Sequence, residues 1–311
     1  MDLKQLEALV GIDDHGSFSS AASALGTVQS NISGRIARLE GELGTTLIER
    51  ATGQLTEDGM LVVARARRVL AELESMMADV LSAHSEVSGT VRVGMIGTTG
   101  RWLIPQIFAE VRERHPRIVL RVTEGTTTTL EPQLLQGQLD FAVLTLPVQA
   151  PELAVLELFE ENLVLVVPEG HPLASAHAAG DPPLPLSVLE DLDMLLPLPG
   201  TALRDELDLA LAPTGITPHS SIELDGLRTL ASLVFDGYGP AILPATAVPQ
   251  HLRDRFRLLP LVGLPQRRVG LVARRHGLPS APSRAVRELL IDSIRSDEAL
   301  PEGITLLSTA A

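Results

Sequence analysis

Three short apolar rhythms open the chain. In "DLKQLEALV", Leu3, Leu6, Leu9 and Val10 share one helical face, and Asp2 stands where a cap is needed. "HGSFSSAASAL" supplies a turn glycine, Gly16, and a serine cap at Ser17 or Ser19 for a short helix that buries Ala22 and Leu25 before Gly26 ends it. A third helix follows, in which Ile32, Ile36, Leu39 and Leu43 recur at spacings of four, three and four and demand a core beneath them. The opposite face, Ser30, Gly34, Ala37 and Gly41, is small and neutral.

After Gly44, "TTLIERATGQLTEDG" reads as a strand, a glycine turn and a second short strand, a wing. Residues 56–82 then predict one long helix without proline. Its apolar positions Met60, Val63, Ala66, Leu70, Leu73, Met77 and Val80 follow an a/d heptad spacing. Such a seam needs a partner, either a second copy of the helix or the protein's own core. The polar "SAHSEVSGT" beyond it reads as a linker.

From residue 90 the pattern changes to strands alternating with helices: "TVRVGMI", a "GTTG" loop, a helix over 101–114, "RIVLRVTEG", a loop and helix from "TTTTLEPQLLQG", then "LDFAVLTL". This β-α-β-α-β order implies an α/β fold with a parallel sheet. A second α/β unit follows, and the chain returns through the strand "RRVGLVARR" and the helix "SRAVRELLIDSIRS" to a tail of mixed character. Ligands in such sheets bind beyond the carboxyl ends of the strands. Threonines cluster there, at Thr98 and Thr99, Thr126 to Thr129, and Thr145. They serve equally as helix caps or as ligand contacts.

At 311 residues the chain has room for about two domains. Its net charge is -14, and neither part is basic: residues 1–81 hold 7 basic and 12 acidic side chains, the remainder 18 and 27. Nucleic-acid binding must therefore come from a local cluster rather than bulk charge. Such a cluster exists, because positions 26 to 39 carry two arginines and no acid. Two helices joined by a glycine-containing turn, the second with Gln29, Ser30, Asn31 and Ser33 at its start, have the form of a helix-turn-helix, although a solvated first turn would read alike. Gln29 can pair with adenine, Ser30, Asn31 and Ser33 can reach base edges or phosphate, and Arg35 and Arg38 suit phosphate. Thr27 and Arg50 flank them from the turn and the wing. Arg38 can instead pair with Glu42 one helical turn on.

Enzyme chemistry finds no footing. There is no cysteine and a single lysine, "GMIGTTG" misses the dinucleotide fingerprint, and G-x-S-x-G and H-E-x-x-H are absent. The eight histidines are scattered, so no catalytic residue, metal ligand or resident cofactor is expected. No stretch has the length or composition of a membrane span or signal peptide, which points to a cytoplasmic protein.

The assembled motifs resemble the LysR-type transcriptional regulator family. The likeness begins with "MDLKQLEALV" and "GSFSSAASALGTVQSNISGRIARLEGELGTTLIERATGQLTEDG" and continues through "VRVGMIGTTGRWLIPQIFAEVRERHP", "GQLDFAVLTL", "PEGHPLA" and "GYGPAILP". It implies a winged helix-turn-helix over 1–58, a linker and dimerisation helix with hinge over 59–89, a periplasmic-binding-protein-like effector domain over 90–295, and a tail over 296–311. The effector domain would comprise one subdomain of 90–161 with 268–295 and another of 162–267. The partners implied are double-stranded DNA, a small-molecule effector of unknown identity and further copies in a homodimer or homotetramer, with RNA polymerase left open.

By the same resemblance Thr98 and Thr126 line the effector pocket and Pro199, Gly200 and Thr201 face them. Thr99, Gly100, Thr128 and Thr145 complete the expected lining. Backbone amides near Arg101 offer a seat for a carboxylate, so an organic acid is the expected effector, with Arg101 and Arg204 as optional anion partners. The alternative is a solute sensor of the same fold without DNA function, for which residues 1–81 would serve no purpose. Gly34 stands where relatives often have arginine, and Arg50 is the only basic residue of the wing. Grip on the DNA backbone is thus expected to be modest per copy.

Overall fold

The computed structural model describes residues 1–84, 86–177, 180–295 and 300–307. Three helices begin the chain: α1 (Leu3–His15), α2 (Phe18–Ala24) and α3 (Gln29–Leu43). Asp2 caps α1 reciprocally with Gln5, at 2.9 and 2.7 Å, and Ser17 caps α2 through the Ser20 amide at 3.1 Å. Ile32, Ile36 and Leu39 close over Leu9, Ile12 and Ala22, and each large buried side chain contributes about 1.5–3 kcal/mol.

The stripe stops short of its expected length. Leu43 is exposed because the last turn of α3 overshoots this core, and Leu25 is exposed at the end of α2. The wing is also slighter than expected, a single antiparallel bridge between Ile48 and Leu55. Glu40 fixes its start by accepting from the Leu47 and Ile48 amides at 2.8 and 3.2 Å. Gly59 lies so close to it that an added Cβ would stand 2.0 Å from the Leu47 carbonyl oxygen.

The long helix α4 (Glu57–His84) leaves the head with a different register from the expected seam. Val63 and Ala66 are buried against the head, and Arg67 ties α4 to Asp13 and Asp14 of α1 at 2.6 and 2.5 Å. Val69, Met76 and Val80 are exposed, and with half-buried Val62 and Leu73 they give spacings of seven, four, three and four. That row is the free heptad face; it keeps Leu73 and Val80 of the expected seam, whose Met60 and Met77 are also exposed, but it leaves out Val63 and Ala66, which the protein's own core takes. Further along, α4 docks onto the next domain: Arg68 Nε donates to the Leu135 carbonyl at 2.7 Å, and Arg92 pairs with Glu74 at 2.9 Å.

The α/β part begins with β1 (Gly89–Ile96), α5 (Gly97–Arg114), β2 (Ile118–Gly125), α6 (Thr127–Gln136) and β3 (Phe141–Thr145). β1 pairs in parallel with both β2 and β3, so all three carboxyl ends lie at one edge. The "GTTG" segment is not a loop but the first turn of α5, which continues β1 directly. Next come β4 (Leu153–Pro168), α7 (Pro172–Ala176), β5 (Leu184–Pro185), β6 (Asp193–Pro197), α8 (Ala202–Leu211), β7 (His219–Leu224) and α9 (Leu227–Phe235). The series closes with β8 (Ala241–Pro244), β9 (Phe256–Val262), β10 (Gln266–Arg274), α10 (Ala281–Arg295) and β11 (Ile304–Leu306).

Two strands carry the chain between subdomains. β4 packs Phe159 into the core of the first, then alternates Leu163, Leu165 and Val167 into one core of the second and Val164 and Val166 into another. β10 returns antiparallel beside it. Part of the tail, unassigned from sequence, is the strand β11, which pairs with β4 at Phe159, Glu160 and Glu161. Residues 296–299 and 308–311 of the expected tail lie outside the described residues.

Candidate functional site

The head presents α3 outward. Gln29, Ser30, Asn31, Ser33, Gly34 and Ala37 are exposed, with Thr27 and Arg35 half-buried beside them and Arg50 exposed in the wing turn. Asn31 Nδ2 donates to Thr27 Oγ1 at 3.0 Å, which orders the first turn. Val28 provides no side-chain cap, leaving the end of α3 open toward a phosphate. Both acids of this helix are held by the protein's own groups: Glu40 by the wing amides, and the exposed Glu42 by the N-terminal ammonium and Gln5. The N-terminal ammonium and the Gln5 amide hold the Glu42 carboxyl below its ordinary value. Arg38 does not pair with Glu42 but donates to the Gly34 carbonyl at 3.2 Å. The start of the outward face of α3 thus keeps its arginines, while both carboxylates sit in its last two turns and are paired there.

The second region lies where β1, β2 and β3 end. Thr98 and Thr99 are only 6 % and 0 % exposed, because the turn that carries them is helical and packs inward. Gly100 faces Met95 and Ile104, and the Thr99 hydroxyl is buried without a partner. Thr126 and Thr128 are exposed and share a hydroxyl contact of 2.8 Å. Thr127 Oγ1 donates to the Thr145 carbonyl at 3.0 Å, joining α6 to β3. Pro199 and Gly200 are exposed before α8, and Thr201 Oγ1 donates to the Leu198 carbonyl at 2.8 Å.

Charged side chains absent from the expected lining join the subdomains. Glu124, at the end of β2, lies over the start of α5: a Cβ on Gly97 would meet its Oε1 at 2.5 Å. Its other oxygen accepts from Arg228 Nη1 of α9 at 2.5 Å. The start of α5, where an external carboxylate was expected, therefore has the chain's own carboxylate beside Gly97. Arg101 stacks over the Phe235 ring at 5.6 Å, also from one subdomain to the other. Arg204 is not free for an anion, since Asp208, Glu223 and the Pro197 carbonyl hold it at 2.8–3.0 Å.

Deeper in, Arg267 of β10 reaches Thr145 Oγ1 at 2.8 Å, Glu161 at 3.3 Å and Glu206 of α8 at 3.3 Å. Glu161 is fully buried and also accepts from the Thr246 hydroxyl at 2.7 Å. Burial pushes the Glu206 carboxyl above its ordinary value; Arg267 opposes this and Glu161 reinforces it. A cavity of about 450 Å3 opens beside Thr145, Glu206 and Arg267. Partners this distant along the chain leave no local signal in the sequence, apart from the three glutamates, Glu157, Glu160 and Glu161, inside the otherwise largely apolar β4.

Comparison with known proteins fits both regions. The LysR-family bacterial regulatory helix-turn-helix protein model matches residues 3–60, and the LysR substrate binding domain model matches residues 84–295. A probable hydrogen peroxide-inducible genes activator of Streptomyces viridosporus is 33 % identical over 299 residues, 94 % of each chain. The DNA-binding transcriptional dual regulator OxyR of Escherichia coli strain K12 is 32 % identical over 300 residues, 95 % of each. A cysteine-to-aspartate variant of full-length OxyR from Pseudomonas aeruginosa has a TM-score of 0.75 at 26 % identity, covering 99 % of both chains. With a head that frees α3, a long linker helix and a two-subdomain α/β domain matched along nearly its whole length, the chain belongs to the LysR family: it is a transcriptional regulator and not an enzyme.

Proposed function

We propose that this regulator reads its operator through Gln29, Ser30 and Ser33, braced on phosphate by Thr27, Asn31, Arg35, Arg38 and Arg50, and responds to a small organic acid bound between its subdomains. The observation that carries the effector reading is the pair Glu124–Arg228. A carboxylate already lies beside Gly97 at the start of α5 and pairs with an arginine of the opposite subdomain. An incoming acid that takes this place exchanges one ion pair for another and gains its own apolar burial. Thr126, Thr128, Thr145 and the Pro199–Thr201 turn would frame it, whereas Thr98, Thr99 and Gly100 support the site from within. No resident cofactor is needed.

The name of the Streptomyces viridosporus relative ties that protein to hydrogen peroxide. Reversible peroxide chemistry proceeds from a cysteine thiolate, and this chain has no cysteine. Ligand binding, not thiol oxidation, is therefore the switch we infer. The free face of α4 through Val62, Val69, Leu73, Met76 and Val80 would pair two copies, placing two heads on successive half-sites. Pairing of dimers into a tetramer and contact with RNA polymerase would follow on the DNA, in the cytoplasm.

A thermal-shift series of aliphatic and aromatic acids on the full chain tests the effector reading. Stabilisation by an acid, strengthened in Glu124→Gln and lost in Arg228→Gln, is the expected result; stabilisation only by sugars or cations would contradict it.

A further inference from the structure

The linker helix and the first subdomain enclose another cavity, about 290 Å3, that shares no lining residue with the one beside Arg267. Ala71, Glu72 and Ser75 line it from α4; Arg274, Ser280, Ser283 and Arg287 line it from the strand and helix that face α4. Its charged groups differ in how they are satisfied. Arg68 donates to the Leu135 carbonyl at 2.7 Å, and Arg274 Nη1 donates to the Leu134 and Leu139 carbonyls, both at 2.8 Å. Asp140 accepts from the Arg92 amide at 2.7 Å. The end of α10 is closed as well, because Asp79 accepts from the Ala281 amide at 2.6 Å.

Arg287 is the exception. It is half-buried, lines the cavity, and makes no hydrogen bond or ion pair among the described residues. Burial alone holds its guanidinium below the usual arginine value. A half-buried guanidinium whose five donors are left to water keeps them available to an anion that enters the cavity. Glu72 and Glu152 also line the cavity, but both are exposed, where a carboxylate is satisfied by water.

We propose that this junction cavity is a second ligand site that takes a compact carboxylate, held in a two-pronged pair by Arg287, with any amine on the same molecule directed to Glu72 and Glu152. The volume sits at the lower end of small-molecule sites, which favours a ligand of few heavy atoms. Such a ligand touches α4 and the first subdomain at once. It therefore sets the angle at which α4 leaves the effector domain, and with it the spacing of two heads on DNA. This goes beyond the effector reading, since it concerns a different site and no group of the Glu124–Arg228 pair.

The test is a thermal-shift titration of the full chain with propionate and with β-alanine, in wild type, Arg287→Gln, Arg287→Lys and Arg228→Gln. The expected result is a saturable rise in Tm, on the order of 5 °C at a hundredfold excess over Kd, kept in Arg228→Gln, weakened in Arg287→Lys and lost in Arg287→Gln. A larger response to β-alanine assigns the rim carboxylates to the site. Loss in Arg228→Gln with retention in Arg287→Gln moves the effect to the cleft; this overturns the junction site while leaving the effector reading standing. No rise with either probe overturns it too. Native circular dichroism and an unchanged Tm without ligand establish that Arg287→Gln folds. In gel shifts, propionate or β-alanine should alter operator affinity on the order of tenfold in wild type and not in Arg287→Gln.

Discussion

The head and the effector cleft are built on opposite principles. In the head, a stripe of Ile32, Ile36 and Leu39 fixes the helix, and polar residues on its other side stay exposed and unspent. In the cleft, the threonines that looked available are buried or bonded locally, and the open chemistry belongs to Glu124, Arg228 and Arg267, contributed by different elements. A surface that will meet a large, uniformly charged polymer can be preformed on one helix. A site that must distinguish small molecules and report on two subdomains is assembled from both, so its groups are paired with each other until a ligand intervenes.

The contrast can be broken most forcefully at Arg267. Arg267→Ala strands Glu161, which is 0 % exposed, and should lower stability by about 3–5 kcal/mol in denaturant unfolding of the full chain. A loss under about 1 kcal/mol would mean that the Thr246 hydroxyl and amide suffice to hold that charge. Leu39→Ala should cost about 2–5 kcal/mol in the head alone, abolishing DNA binding while a separate effector-domain transition stays in place. One merged transition would show that the two regions unfold as a unit.

Smaller effects probe function rather than folding. Gln29→Ala should weaken specific operator binding by about 1–3 kcal/mol and leave Tm unchanged; an unaltered footprint would remove α3 as the reader. Glu124→Gln should change stability by no more than about 1 kcal/mol, because the pair with Arg228 is largely exposed, while tightening acid binding measurably by calorimetry. The last effect is in pH. Glu206 is raised by burial, so the folded chain keeps this proton where the unfolded chain has released it. Stability should be flat below the ordinary carboxylate range and fall as pH rises from that range through the raised value, and Glu206→Gln should flatten this slope in pH-dependent melts.

Much of the head was readable because its information is local. Asp2, Ser17, Gly16 and Gly44 act within a few residues of themselves, and the four-three-four rhythm needs only the helical period. The failures were those that depend on where a neighbour ends. Leu43 carries the same rhythm as Leu39 but has no core left to cover it. Val63 and Ala66 belong to the expected seam in α4, yet the head takes them, so the free face keeps Leu73 and Val80 and gains Val69 and Met76. "GTTG" has the composition of a loop, and packing against Met95 and Ile104 makes it the first turn of a helix.

By itself the sequence determined the order of elements, the outward polar face of α3, the alternation that yields two α/β units, and the exclusion of thiol, lysine and metal-motif chemistry. These follow from periodicity and from residue types that are simply present or absent. Only the tertiary structure decided that Glu124 lies beside the start of α5 and meets Arg228 across 104 positions, that Arg267 balances Glu161 and Glu206, that β11 crosses to β4, and that Arg287 beside the linker helix has no partner among the described residues. Charge pairing depends on distance in space, and no spacing along the chain encodes which distant arginine will find which carboxylate.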